Sequence, residues 1–256
     1  MQYHIDTIPV WDALRERNGC LICSLRARME NDSVSYFLGG SVMEPDIRIK
    51  VNKKGFCRHH QFMLNKQKNK LGHALMMLSH TDEILEKLKK LTADNAPGQR
   101  DKKRFLPLRS AAGEAEQGKQ LAENLSEAAS SCVICDQIEE IMARYVHTFL
   151  HLYKNDAAFR KEFTASEGVC LSDAAVLIRA AGKEYSQDLY SEISSLLLSQ
   201  LMHTLSSDRE DLSWFTQKFD YRNADKPWGN SKDAVERTVN ELQGYCIGKS
   251  PDTRNT

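Results

Sequence analysis

No stretch of this 256-residue sequence approaches the ~20 consecutive apolar residues that cross a membrane. The N-terminus, MQYHIDTIPVWDALRERNG, carries Asp6 and Asp12 where a secretory signal would run uninterrupted and apolar. The expectation is a cytoplasmic protein, held where thiols stay reduced. Alternating strand patterns are almost missing; DIRIKVN (46–52) is the one short candidate. No glycine-rich phosphate loop, nucleophile elbow or catalytic triad stands out, so a kinase, dehydrogenase or hydrolase has no motif behind it and the reading leans away from an enzyme. Net charge is absent too, with 35 Lys+Arg against 35 Asp+Glu. The balance is uneven along the chain. Residues 1–110 hold 20 basic and 12 acidic side chains, an excess of +8, which leaves −8 for residues 111–256. The halves could attract each other, or one could attract a partner of opposite sign.

What the sequence does have is helical periodicity and a 41% apolar content, those of a globular protein. Ile134, Ile138, Ile141, Tyr145, Phe149 and Leu152 step by three or four residues. A second stripe runs from Ile178 through Ala181, Tyr185, Leu189, Ile193, Leu197 and Leu201 to Leu205. Leu25, Met29, Ser33 and Phe37, then Leu71, Leu75, Leu78, Leu85 and Leu88, repeat the pattern in the first half. All are read as core-facing.

Six of the seven cysteines fall into one repeated plan. Cys20-x-x-Cys23 matches Cys132-x-x-Cys135, and Cys57-x-x-His60 matches Cys170-x-x-Asp173, with gaps of 33 and 34 residues between the pairs. Ile22 with Ile134, Phe37 with Phe149 and Gly55 with Gly168 fall near the same register. The reading is an all-α protein of two related halves made by internal duplication. The first half would span 1–91, a linker rich in Pro, Gly, Ala and charge 92–119, the second half 120–247 and a frayed tail 248–256.

Two-residue spacers let both donors of a pair face one ion, and a second pair from a distant segment completes a tetrahedron, which suits zinc. The nearest assignment puts Cys20, Cys23, Cys57 and His60 on one Zn²⁺, with His59 as fallback, and Cys132, Cys135, Cys170 and Asp173 on another. Each pair would open a helix, where thiolates are favoured. The first set carries −1 around a divalent ion, offset by Lys53, Lys54 and Arg58. The second carries −2 beside Asp136 and Glu167, so His147, His151 or Cys246 could take the place of Asp173 as fourth ligand. An iron–sulfur cluster is the rival cofactor.

Other features weigh less. His147 and His151 share a helix face but have no counterpart in the first half. In WFTQKFDYRNADKPWGN (214–230), Phe219, Tyr221 and Trp228 would plug the core, the alternative being an anion site built from Arg222, Lys226 and Trp228. The runs KVNKK, KQKNK and RDKKR read as solvated faces before phosphate contacts.

IDTIPVWDAL, the C-x-x-C, MEPDIRIKVNKKGFCRHH followed by LGHALMML, and KFDYRNADKPWGNSKDA together resemble an uncharacterised bacterial family found mostly in Firmicutes. The resemblance covers nearly the whole chain. It implies a cytoplasmic protein with two Cys-type metal motifs and no established activity. The family's second half often reads C-L-x-H, and here Asp173 stands at the histidine position. Three functions are left: a binding, scaffold or regulatory protein with structural zinc, an iron–sulfur or thiol redox protein, and a nucleic-acid-binding regulator using Lys53, Lys54 and Lys102. The partner is left open, with a protein the first candidate and nucleic acid a weaker one, and no membrane is expected.

Overall fold

The computed structural model describes residues 3–94 and 111–252, and among them every regular element is helical. The order is α1 (Tyr3–Glu16), α2 (Leu21–Phe37), α3 (Pro45–Lys54), α4 (Arg58–Lys66), α5 (Lys70–Asp94), α6 (Ala111–Ser130), α7 (Val133–Asn155), α8 (Ala157–Thr164), α9 (Leu171–Glu184), α10 (Gln187–Gln217) and α11 (Ala234–Gln243), with three short 3-10 turns between them. No described helix is long and apolar enough to cross a membrane. The chain divides into two compact units, Met1–Met29 with Glu140–Thr256, and Glu30–Glu139. These are not the halves expected from the repeat. The dividing points fall inside α2 and α7, and the N-terminal segment joins the C-terminal half. Residues 95–104, with the RDKKR run and Lys102, and the tail residues 253–256 lie outside the described residues.

In the Glu30–Glu139 unit, the expected strand at 46–52 is α3 instead. Pro45 occupies the first turn, Asp46 follows it, and Lys53 and Lys54 close the last turn, in the order that suits the helix dipole. The alternation of Ile47, Ile49 and Val51 is also an i, i+4 pair, and the helix buries Val51 while Ile49 is half in solvent. Asn52 anchors α3 to α5. Its side-chain oxygen accepts from Ser79 Oγ at 2.7 Å, its carbonyl lies 2.8 Å from His80 Nδ1, and Arg48 Nη2 donates to Ser79 Oγ at 2.7 Å. Gly55 then ends α3 at φ +65°, where a Cβ would run into the His80 ring. Residues 111–119 of the expected linker are the start of α6. The leucine stripe of α5 is the larger surprise: Met76 is fully buried, whereas Leu71, Leu78, Leu85 and Leu88 are 71%, 64%, 48% and 40% exposed.

In the other unit, α7 and α8 fold back on each other across Asp156, which accepts from the N–H groups of Ala158 and Phe159 at 2.9 and 3.1 Å. Phe149, Tyr153, Phe159 and Phe163 interlock there, with Phe149 and Phe163 centroids 4.8 Å apart and Trp11 edge-on to Phe159 at 5.1 Å. The stripe from Ile178 to Leu205 is two helices, not one, because the chain turns at Tyr185 and Ser186. Leu177 and Ala181 of α9 and Ile193, Leu197 and Leu201 of α10 are buried. The tail is partly packed: Asp252 is 2% exposed.

Of the three aromatics expected to plug the core from 214–230, Trp228 is half-buried, its ring 5.7 Å from that of Phe215, and the other two are not buried. Phe219 and Tyr221 are 77% and 86% exposed. The loop is organised by Lys218 instead, whose buried Nζ donates to the carbonyls of Asn223 (2.7 Å), Ala224 (2.8 Å) and Lys226. Arg222 is held by Asp220, Lys226 by Asn223, and Trp214 Nε1 donates to Pro227 O at 3.0 Å. Arg222 and Lys226, the two cations of the alternative anion site, are thus engaged within the loop.

Candidate metal centres

Each of the four paired motifs adopts the same local form. Cys57 and Cys170 are N-caps of α4 and α9, and Cys20 and Cys132 immediately precede α2 and α7. The second donor of each motif (Cys23, His60, Cys135 or Asp173) sits three residues on, in the first turn, so both donors leave the same face. The free N–H groups there face sulfur, with Cys23 N and Cys135 N each 3.5 Å from the sulfur of their own pair. This much the spacing anticipated.

The partnership is exchanged. Cys57 and His60 meet Cys132 and Cys135, while Cys20 and Cys23 meet Cys170 and Asp173. The expected groupings, Cys20/Cys23/Cys57/His60 and Cys132/Cys135/Cys170/Asp173, do not form. The donor composition survives the exchange: one site is still three cysteines and a histidine, the other three cysteines and an aspartate. Each site also lies within a single compact unit.

In the histidine site, His60 Nδ1 is 3.2 Å from Cys132 Sγ, 3.3 Å from Cys57 Sγ and 3.4 Å from Cys135 Sγ, and Cys57 Sγ and Cys135 Sγ are 3.7 Å apart. The peptide leaving α3 brings the two pairs together. Gly55 O accepts from Val133 N at 3.1 Å and Lys54 O from Ser131 Oγ at 2.6 Å, so residues flanking Cys57 grip residues flanking Cys132. Behind His60, Glu30 Oε1 lies 3.2 Å from His60 Nε2, within ion-pair distance, and 2.8 Å from His59 Nε2, which places a carboxylate on the far side of the imidazole. His59 points to this carboxylate and is not among the four. Asp136, expected beside the other site, pairs with Lys54 here.

In the aspartate site, Asp173 Oδ2 is 3.2 Å from each of Cys20 Sγ, Cys23 Sγ and Cys170 Sγ, and Cys23 Sγ and Cys170 Sγ are 3.8 Å apart. Sequence reasoning missed its outer contacts. Tyr245 N donates to Cys23 Sγ at 3.2 Å, and Ser172 Oγ stands 3.3 Å from Cys170 Sγ. Gly244, at φ +83°, turns the chain over the sulfurs to allow this. Such contacts offset the larger negative charge of a Cys₃Asp set. His147 pairs with Glu184, His151 with Asn155, and Cys246 is exposed; none of them joins the cluster. Beside Cys20 and Cys23 opens a cleft of about 570 Å³ bordered by Glu167, Asp208, Arg237 and Glu241. Burial pushes the Glu241 carboxyl up to about 7, helped by the negative charge of Cys170, Asp208 and Glu167.

Without an ion the donors share protons. Burial opposes charge on His60, yet contacts with Cys132 and Glu30 raise it to about 10. Burial likewise opposes the Cys132 thiolate, but the His60 ring and nearby N–H groups draw it down to about 6. In the aspartate site, hydrogen bonds from Cys20 and Cys23 lower Cys170, while burial and the Cys170 charge raise Asp173 to about 6. Each cluster favours one thiolate and leaves protons on its neighbours, which a divalent cation would displace. The sulfurs are too far apart for a disulfide, and all seven cysteines are free. Both donor sets fit a single metal ion.

A model described as "Family of unknown function (DUF6062)" matches residues 1–249. No curated protein and no solved structure matches the chain.

Proposed function

Starting from a chain that belongs to the family of unknown function DUF6062, we propose that this is a two-zinc protein whose ions are structural, serving a binding, scaffold or regulatory role. The observation that carries the reading is the arrangement of the donors. In both sites the fourth atom is nearly equidistant from three sulfurs, at 3.2–3.4 Å. Zinc–sulfur bonds of about 2.3 Å in a tetrahedron put sulfurs about 3.8 Å apart, and sulfur and nitrogen about 3.5 Å apart. The observed sulfur pairs lie at 3.7 and 3.8 Å. An iron–sulfur cluster distributes its cysteines over several irons and needs space between them for bridging sulfide, so its donors stand farther apart than these.

Four protein donors leave no coordination position for a substrate, which is the mark of a structural ion. The ligation free energy, on the order of 10 kcal/mol per site, then becomes folding free energy. In the histidine site the ion fastens the start of α4 to the start of α7; in the aspartate site it fastens the start of α2 to the start of α9. Thiolate sites of this kind call for a reducing compartment. The test is elemental analysis of natively purified full-length protein. Colourless protein with two zinc ions per chain, unfolding on chelation, is expected. Iron with acid-labile sulfide, or a fully folded metal-free chain, would overturn the reading.

A further inference from the structure

Ligands of one ion aim at a point between them rather than at each other, and the far side of His60 has that arrangement. The residue is 3% exposed, and its Nδ1 faces the three sulfurs of the histidine site. Its Nε2 is buried and has no hydrogen-bond partner. Glu30 Oε1 nevertheless lies 3.2 Å away, close enough for a hydrogen bond but out of line for one. The same oxygen is 2.8 Å from Nε2 of His59, whose ring stands edge-on to that of His60 with centroids 5.2 Å apart. One donor atom from each of Glu30, His59 and His60 lies within 4.8 Å of the other two. Donors on an ion with bonds of about 2.1 Å stand about 3.0 Å apart at right angles and about 3.4 Å apart in a tetrahedron. The observed 2.8 and 3.2 Å lie close to that range.

We propose that Glu30, His59 and His60 form a third metal site, for a divalent ion of the zinc class, joined to the zinc of the histidine site through the His60 ring. The bridge rests on the two-zinc reading. When the outer ion binds, a nitrogen–metal bond replaces the N–H bond at His60 Nε2 and the proton leaves to solvent, while neutral His59 keeps its one proton on Nδ1. The donors select the ion. Two imidazole nitrogens and one carboxylate suit zinc, cobalt, nickel or copper, whereas calcium and magnesium take oxygen ligands. Charge favours binding, because the Cys₃His zinc site is anionic and Glu30 adds a second negative group beside it. The side chains of His59 and Glu30 are 62% and 27% exposed, so the ion can enter from solvent and water can complete its shell. That open shell makes this site weaker than the two closed ones. No comparable group stands beside the aspartate site among the described residues.

The test uses full-length, zinc-loaded protein dialysed against Co²⁺, with zinc counted before and after. Cobalt is the probe because thiolate sites keep zinc in preference to it and its spectrum reports the donors. One cobalt per chain is expected at roughly micromolar to tens of micromolar free ion, with both zincs retained. Visible d–d absorption should appear without intense thiolate-to-cobalt charge transfer. His59→Ala and Glu30→Gln should each weaken cobalt binding by roughly ten- to a hundredfold and leave both zincs and the helix content unchanged. Hyperfine-shifted ring-proton resonances should come from two histidines. Absence of a third ion, or cobalt held as tightly by the His59→Ala/Glu30→Gln double variant as by wild type, would overturn the site. Shifted resonances from His59 alone would overturn the bridge. The zinc count is read first, so failure of the two-zinc reading shows there and failure of this inference shows in the cobalt count.

Discussion

Zinc stoichiometry in serine variants discriminates the exchanged pairing from the nearest-neighbour one. Cys20→Ser should leave one zinc per chain, and adding Cys170→Ser should change nothing more, because both cysteines serve the same ion. Adding Cys57→Ser to Cys20→Ser instead should leave none. The energetic scale follows from the loops the sites close. Cys57 to Cys135 encloses 79 residues, and closing such a loop removes about 4.5 kcal/mol of unfolded-state entropy at 25 °C. Cys20 to Asp173 encloses 154, but with the inner loop already closed the added path is about 75 residues, again about 4.5 kcal/mol. Losing either closure should move the urea midpoint by about 1.5 M, taking a slope near 3 kcal/mol per molar, with the lost ligation added to that. Zinc counts and urea melts of the three variants are the assay. A Cys20/Cys57 double variant that keeps one zinc, beside a Cys20/Cys170 variant that keeps none, would refute the assignment.

The fourth ligands are separable. Asp173→Ala and His60→Ala should each lose one zinc, whereas Asp173→His should keep it by lowering the site's charge from −2 to −1, and His59→Ala should keep both; metal analysis reads all four. Gly55→Ala combines a left-handed backbone with a collision against His80 at the peptide that holds Val133, and should cost about 2 kcal/mol or more in thermal or urea unfolding. Glu241 has a folded value near 7, above its usual one. Its contribution to stability is therefore full below about pH 4.5 and lost as pH rises through 7, on the order of 1–3 kcal/mol. Glu241→Gln should flatten this slope in melts at pH 5 and pH 8, and an unchanged slope would place the carboxyl in water.

Local chemistry was legible in the residues. A cysteine at a helix N-cap with a donor three residues on defines its own geometry, so Cys20/Cys23, Cys57/His60, Cys132/Cys135 and Cys170/Asp173 could be found as pairs, and Asp173 as a donor in place of histidine. Helix periodicity was legible where burial is one-sided, as in α7. It misled on α5, because a seam facing outward has the same period as one facing the core. It misled on 46–52 because Ile47, Ile49 and Val51 fit a strand and a helix alike, and Pro45 was the residue that decided. Phe219 and Tyr221 misled because aromatic content says nothing about direction when a buried lysine, Lys218, shapes the loop.

Which pair meets which is a different kind of fact, and entropy shows why spacing hid it. The nearest-neighbour scheme closes two consecutive loops of 41 and 42 residues, 20–60 and 132–173. The observed scheme nests a 79-residue loop inside a 154-residue one. Closure cost grows only as the logarithm of length, so the nested arrangement is disfavoured by about 0.6 kcal/mol per loop, about 1 kcal/mol in all. One or two good contacts reverse a preference of that size. The hydrogen bonds from Val133 N to Gly55 O and from Ser131 Oγ to Lys54 O do so at the histidine site; at the aspartate site the turn at Gly244, which passes over Cys23, Cys170 and Ser172, spans both pairs, and Tyr245 N donates from it to Cys23 Sγ. The donor sets are the same under either pairing, so metal chemistry is indifferent between them and the backbone around the ligands makes the choice.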